Sequence, residues 1–276
     1  MINYKGQLFA HWSDLPIQHL SFSQLSDQFS IPIYWSHSKV ILLEATYFHI
    51  MSALRRWRMA IPMSLTPELI DQQTAILNSA LGDNPNCMYQ LSLFREVRIS
   101  SSAPHSELGW VLTQLDTFKP DQSQDNYEVS LYRDQFISAD GLSNLPATNS
   151  HLRDIALVYA YENGFSDCFL LNTDKQLVET VFGTVFLQFN GEIHTPDLTS
   201  GCRHAVIRSA FIEWLQKEKE LKVCEKPIVP FELQKADAIG ILNPYKGMSS
   251  VTKYRKKTFD NKSMPMLFSN FWSGQS

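Results

Sequence analysis

Paired cysteines, nucleotide-binding glycine motifs, long apolar runs and an excess of basic charge are all missing from this 276-residue chain. Its four cysteines, Cys87, Cys168, Cys202 and Cys224, are widely spaced and form no C-x-x-C. A disulfide framework is therefore not encoded, and reduced thiols in a cytoplasm are the expectation. The eleven glycines contain neither G-x-G-x-x-G nor G-x-x-x-x-G-K-[ST], which removes the dinucleotide fingerprint and the Walker loop. Without G-x-S-x-G or H-E-x-x-H, the common hydrolase and metalloprotease readings go as well. No apolar run reaches membrane-spanning length, and Met1–Gly6 lacks a charged and then apolar leader, so neither export nor anchoring is expected. A formal net charge of -4 argues against nucleic acid or an anionic membrane as partner. The one basic run, Lys253, Arg255, Lys256 and Lys257, reads as solvated. Cys202-x-His204 lacks a second ligand pair at zinc spacing, so no metal is expected.

What is present is an ordinary globular composition, 44% apolar and 19% charged, enough to build a core in each of two modest domains. Strands are predicted near Gln7–Ala10, Val40–Leu43, Tyr89–Arg95 and Gly109–Phe118, and a helix over Glu44–Arg58 stopped before Pro62. The strongest local signal is Thr66 as N-cap with Pro67 at the first helical position and Gly82 beyond the end. Polar, aperiodic 119–126 reads as an interdomain linker between 1–118 and 127–276. Beyond it the strand–helix rhythm resumes: strands at Tyr127–Tyr132, Asp167–Leu171, Val185–Phe189 and Ala238–Leu242, helices at Asn149–Glu162 and Cys202–Lys217, and a short helix at Phe231–Lys235. The class is α+β in two layered domains.

The segments Leu43-Glu44-Ala45-Thr46-Tyr47-Phe48, Glu162-Asn163-Gly164-Phe165-Ser166-Asp167, Val178-Glu179-Thr180, His194-Thr195-Pro196 through Cys202, and Pro230 to Asp237 with Thr252 to Lys257 occur in an order that resembles the class IV aminotransferases. That pyridoxal-phosphate fold type IV includes branched-chain and D-amino acid aminotransferases and aminodeoxychorismate lyases. The resemblance covers nearly the whole chain. It implies the two-domain D-amino acid aminotransferase-like architecture, an active cleft between the domains and a homodimer.

The family's chemistry rests on a lysine that forms a Schiff base with the cofactor and shuttles the substrate proton. Aligned without gaps, Pro146 stands at that position, and no residue from Pro120 to Asp174 is lysine. The phosphate anchors are changed too. His49 matches an arginine, Ala205-Val206-Ile207 matches a G-[IV]-T-like turn, and Leu242 matches a threonine or serine. Thr184 falls in the same degenerate site, and Glu179 matches the carboxylate that pairs with the pyridine nitrogen. The F-E-[ST] strand falls on Ser30-Ile31-Pro32, where proline allows at best an edge strand. The expectation is a protein without bound pyridoxal phosphate that has lost transaminase or lyase activity, a pseudoenzyme or small-ligand-binding descendant. Two alternatives stand beside it: a repurposed, cofactor-independent enzyme with Glu179, His49, Tyr245 or Lys246 as candidate acid–base groups, and an active member with Lys246 as substitute lysine.

Overall fold

The structure is a computed structural model that describes residues 1–15, 28–97, 106–145, 151–259 and 262–275. These divide into two compact units, Met1–Phe118 and one formed by Lys119–Leu145 with 151–275. Five α-helices and four sheets are described, an α+β architecture.

The first unit is a six-stranded antiparallel sheet built from β1 (Ile2–Tyr4), β2 (Gln7–Phe9), β3 (Gln28–Ser36), β4 (Lys39–Ile41), β5 (Asn86–Val97) and β6 (Ser106–Leu115), in the order β2-β1-β6-β5-β3-β4. β3 pairs along nine residues with β5, whereas β4 covers only Tyr34–Ser36. Among the described residues, Pro32 thus sits on a stretch with no strand paired on its other side, a setting in which a strand tolerates a residue with no N–H. Helix α1 (Leu43–Arg56) starts two residues after β4, where Leu42 adopts φ 57°, so the predicted strand end at Leu43 is already helical. In α2 (Pro67–Ala80) the Thr66 hydroxyl accepts from Leu69 N–H and Gly82 has φ 99°, as its sequence requires. Asn78 of this helix accepts from the Tyr89 hydroxyl at 2.8 Å, and Asp71 from the Val40 N–H at 2.9 Å. These bonds fix α2 to the sheet.

The second unit has a three-stranded sheet of β7 (Val129–Leu131), β8 (Asp167–Leu171) and β9 (Leu177–Thr180). Its larger sheet has five strands in the order β12 (Lys222–Glu225), β11 (Glu192–Thr195), β10 (Thr184–Phe189), β13 (Ala238–Asn243) and β14 (Gly247–Ser250). One apolar cluster joins the two sheets, drawing Phe169, Leu171 and Leu177 from one and Val185, Leu187, Ile239 and Ile241 from the other. The strand alternation sends Phe186 the opposite way, where it meets Phe211 of α4 (Val206–Lys217); Phe211 in turn packs on Phe268 and Phe271 of α5 (Ser263–Ser273). Helix α3 (His151–Glu162) covers the outer face of the small sheet through Ala156 and Ala160 against Cys168, Leu170 and Val178.

Two expectations change in this unit. The polar stretch 119–126 belongs to it: Gln122 N–H donates to Met248 C=O, and Met248 N–H to Pro120 C=O. The basic run is also split. Arg255 and Lys256 are exposed, but Lys253 pairs with Glu128, and the Lys257 ammonium donates to the Gln234 and Ala236 carbonyls beside the 230–234 turn of 3₁₀ helix. No helix among the described residues is long and apolar enough to cross a membrane.

Candidate functional site

β9 is buried on both faces and carries Glu179, whose carboxylate is 1% exposed. Burial alone would raise its pKa. The Arg203 and Arg153 guanidiniums, the Arg203 N–H and the hydrogen bonds outweigh that and hold Glu179 below the usual carboxylate range. Arg153 reaches it from α3, with Nε 2.6 Å from Oε1 and Nη2 on the same oxygen. Arg203 closes the other side: both its backbone N–H and its Nε lie 3.0 Å from Oε2, while its Nη2 donates to Val181 C=O at 2.9 Å. Four N–H donors on two oxygens fill the acceptor sites of a carboxylate.

The same contact explains why α4 begins at Val206 rather than near Cys202. Arg203 N–H is taken by Glu179 and His204 N–H by Asn144 C=O, and Gly201 turns at φ 96°. The chain is thereby kept extended to Ala205, which caps the helix with no side-chain bond. The glycine turn ahead of this helix is therefore at Gly201, four residues before Ala205-Val206-Ile207, and Ile207 is buried in the first helical turn. Cys202 and His204 do not converge: the thiol faces the Pro196 and Asp197 carbonyls, and the imidazole meets Ser209.

Tyr245 and Lys246 lie near this cluster. Burial pushes the Tyr245 hydroxyl up, opposed by the charge of Arg203, so at neutral pH it stays protonated and is no base. Lys246 is exposed, with its ammonium 5.6 Å from the centre of the Phe182 ring. Thr184 and Leu242 are directly paired across β10 and β13, both buried. His49 belongs to the first unit, buried on α1. Pro146 lies outside the described residues. The structure thus gathers Glu179, Tyr245 and Lys246, and adds two arginines that the sequence reading did not assign to the site.

Whether these residues suit pyridoxal phosphate turns on Glu179. A pyridine nitrogen needs an acceptor there, and all four acceptor positions are occupied by arginine donors. The side chains of Ile207 and Leu242 are buried and apolar and add no donor for a phosphate. With every acceptor position of Glu179 taken, this carboxylate and these side chains do not fit the cofactor.

One strand away Asp167 is fully buried, accepting from the Tyr127 hydroxyl at 3.0 Å, Cys168 N–H at 2.7 Å and Val181 N–H at 3.1 Å. Burial pushes it up to about 6 despite those bonds. The unfolded value is about 3.9, so between about pH 4 and 6 the folded chain binds more protons. The favourable contribution is complete below that window and is lost as pH rises through it, by up to about 3 kcal/mol. Asp167→Asn is expected to remove this slope, so the wild-type minus variant difference, read by urea unfolding at pH 4 to 7, falls with rising pH. A difference independent of pH would refute the assignment.

A family model described as amino-transferase class IV matches residues 37–254. Among solved structures the chain is similar to a branched-chain aminotransferase from Thermoproteus uzoniensis (TM-score 0.81, 15% identity, 98% of this chain and 93% of that one). It is also similar to a 4-amino-4-deoxychorismate lyase from Pseudomonas aeruginosa (TM-score 0.74, 17% identity, 99% and 97%). A third similar structure is a branched-chain amino acid aminotransferase from Thermobaculum terrenum in its PLP form (TM-score 0.78, 16% identity, 100% and 94%). No curated protein matches the chain.

Proposed function

Since the chain belongs to the class IV aminotransferase family, with the type IV fold, we propose that it is a member that no longer performs pyridoxal-phosphate-dependent transamination or elimination. We assign it a homodimeric, cytoplasmic role as a pseudoenzyme that binds a small ligand. The observation carrying this is Glu179 held between Arg153 and Arg203, in a chain with no lysine from Pro120 to Asp174. The family's proton shuttle requires an amine that Pro146 cannot supply.

The test is to add pyridoxal phosphate to purified protein, record the visible spectrum before and after borohydride, and locate any fixed cofactor by peptide mass. Branched-chain, aromatic and D-amino acids are assayed with 2-oxoglutarate or pyruvate alongside. No protein-specific absorbance, no fixed lysine and no turnover above free cofactor are expected. Stoichiometric fixation on Lys246 with turnover would overturn the proposal in favour of a substitute lysine.

A further inference from the structure

Away from Glu179, the edge of the five-stranded sheet carries Glu192, His194 and Cys224, whose ligand atoms all lie within 4.8 Å of one another. Among the described residues this is the one such trio. The sheet dictates the placement. Glu192 and His194 alternate on β11 with buried Ile193 and Thr195, so they share the other face. β12 runs parallel beside them with Cys224 opposite His194 and Lys222 opposite Glu192.

The surroundings divide the polar atoms in a way that leaves one inward-facing set. Lys222 takes Glu192 Oε1 at 2.6 Å, while Oε2 faces His194 Nε2 at 3.2 Å. On the far side of the ring, His194 Nδ1 is buried with no hydrogen-bond partner and lies 3.8 Å from Glu232 Oε2. Glu232 is itself steadied by Lys226 and the Val229 N–H, and Phe189 backs the imidazole with ring centres 4.6 Å apart.

We propose that Glu192 Oε2, His194 Nε2 and Cys224 Sγ bind one Zn²⁺, with a solvent molecule as fourth ligand and Glu232 orienting the imidazole from behind. One carboxylate, one imidazole and one thiolate suit zinc and not the oxygen-seeking Mg²⁺ or Ca²⁺. Bond lengths to zinc of about 2.0 to 2.3 Å put ligand atoms of a tetrahedral site roughly 3.5 Å apart, which these side chains reach by small rotations. The orphaned Nδ1 facing a carboxylate is the arrangement that fixes the tautomer of a metal-bound histidine. Among the described residues β12 is the edge strand, with no strand paired on its outer flank. Binding releases the Cys224 thiol proton to solvent, so affinity rises with pH.

The full chain, stripped with chelator, is titrated with Co²⁺ and then Zn²⁺. One equivalent of Co²⁺ is expected to give a thiolate-to-cobalt charge-transfer band in the near ultraviolet that Zn²⁺ abolishes. Cys224→Ser is expected to lose the band and bind Zn²⁺ at least ~10-fold more weakly, and His194→Gln to weaken Zn²⁺ similarly. Glu232→Gln should keep the band with affinity reduced by roughly 10-fold. Circular dichroism of the metal-free variants separates lost ligands from lost fold, and Glu232→Gln provides a second variant that leaves all three ligands in place. Absence of stoichiometric uptake by the wild type, or a thiolate band that survives Cys224→Ser, would overturn the site.

Discussion

Glu179→Gln is expected to destabilise the protein by about 3–5 kcal/mol, the usual penalty for breaking a buried ion pair from one side. Arg153 and Arg203 meet on this carboxylate with side chains 13% and 27% exposed, and a glutamine would turn an amide N–H₂ toward one of them. Against a total stability of about 5–15 kcal/mol, this is a large fraction. Replacing all three charges together, as Glu179→Met with Arg153→Leu and Arg203→Met, is expected to recover much of the loss, because apolar groups of similar volume need no partner. Urea unfolding of the single and triple variants decides it; a single-variant loss below about 1 kcal/mol would show that the network carries little. The charge state adds a pH signature. Glu179 is held below its usual range, so its contribution is present above the unfolded value of about 4.3 and is lost as pH falls through the lower folded value. That is opposite in sign to Asp167.

The local features that depend on neighbouring residues were legible in the sequence. Thr66-Pro67 and Gly82 set the limits of a helix through an N-cap and a left-handed turn, and the alternation at Tyr89, Leu91 and Leu93 marks a strand. β3 was harder to read, because what licenses Pro32 is the shortness of the β4 pairing on its other side, a fact of tertiary register. The helix over 206–217 starts later than its sequence suggests for a similar reason: Glu179 and Asn144, far away in sequence, take the backbone donors that a helix at Cys202 would have used. At the site, the lack of any lysine from Pro120 to Asp174 is legible because it is a matter of which residues are present. The arginines could not, since Arg153 and Arg203 lie 26 and 24 positions from Glu179 and nothing periodic links them. The trio at the sheet edge was likewise hidden, because His194 and Cys224 meet only through the parallel register of β11 and β12.

Restoring the lysine alone, as Pro146→Lys, is expected to leave transamination at the free-cofactor background, short of enzymatic rates by on the order of 10⁶-fold or more. Magnitudes decide this. A cofactor held with micromolar affinity has about 8 kcal/mol of binding free energy. Freeing Glu179 for a pyridine nitrogen means withdrawing it from two guanidiniums, a loss of about 3–5 kcal/mol by the reasoning above. Each charge-assisted phosphate contact that the apolar side chains of Ile207 and Leu242 would not make removes about 1.5–3 kcal/mol more. Together these losses are comparable to what would hold the cofactor, so a new amine would have little positioned beside it to react with. The measurement is a spectrophotometric titration of Pro146→Lys with pyridoxal phosphate, followed by single-turnover assays with amino-acid donors. No saturable absorbance change and no ketoacid product are expected. Tight cofactor uptake with turnover would mean that Arg153 and Arg203 release Glu179 readily, and that the proline alone silences an otherwise competent site.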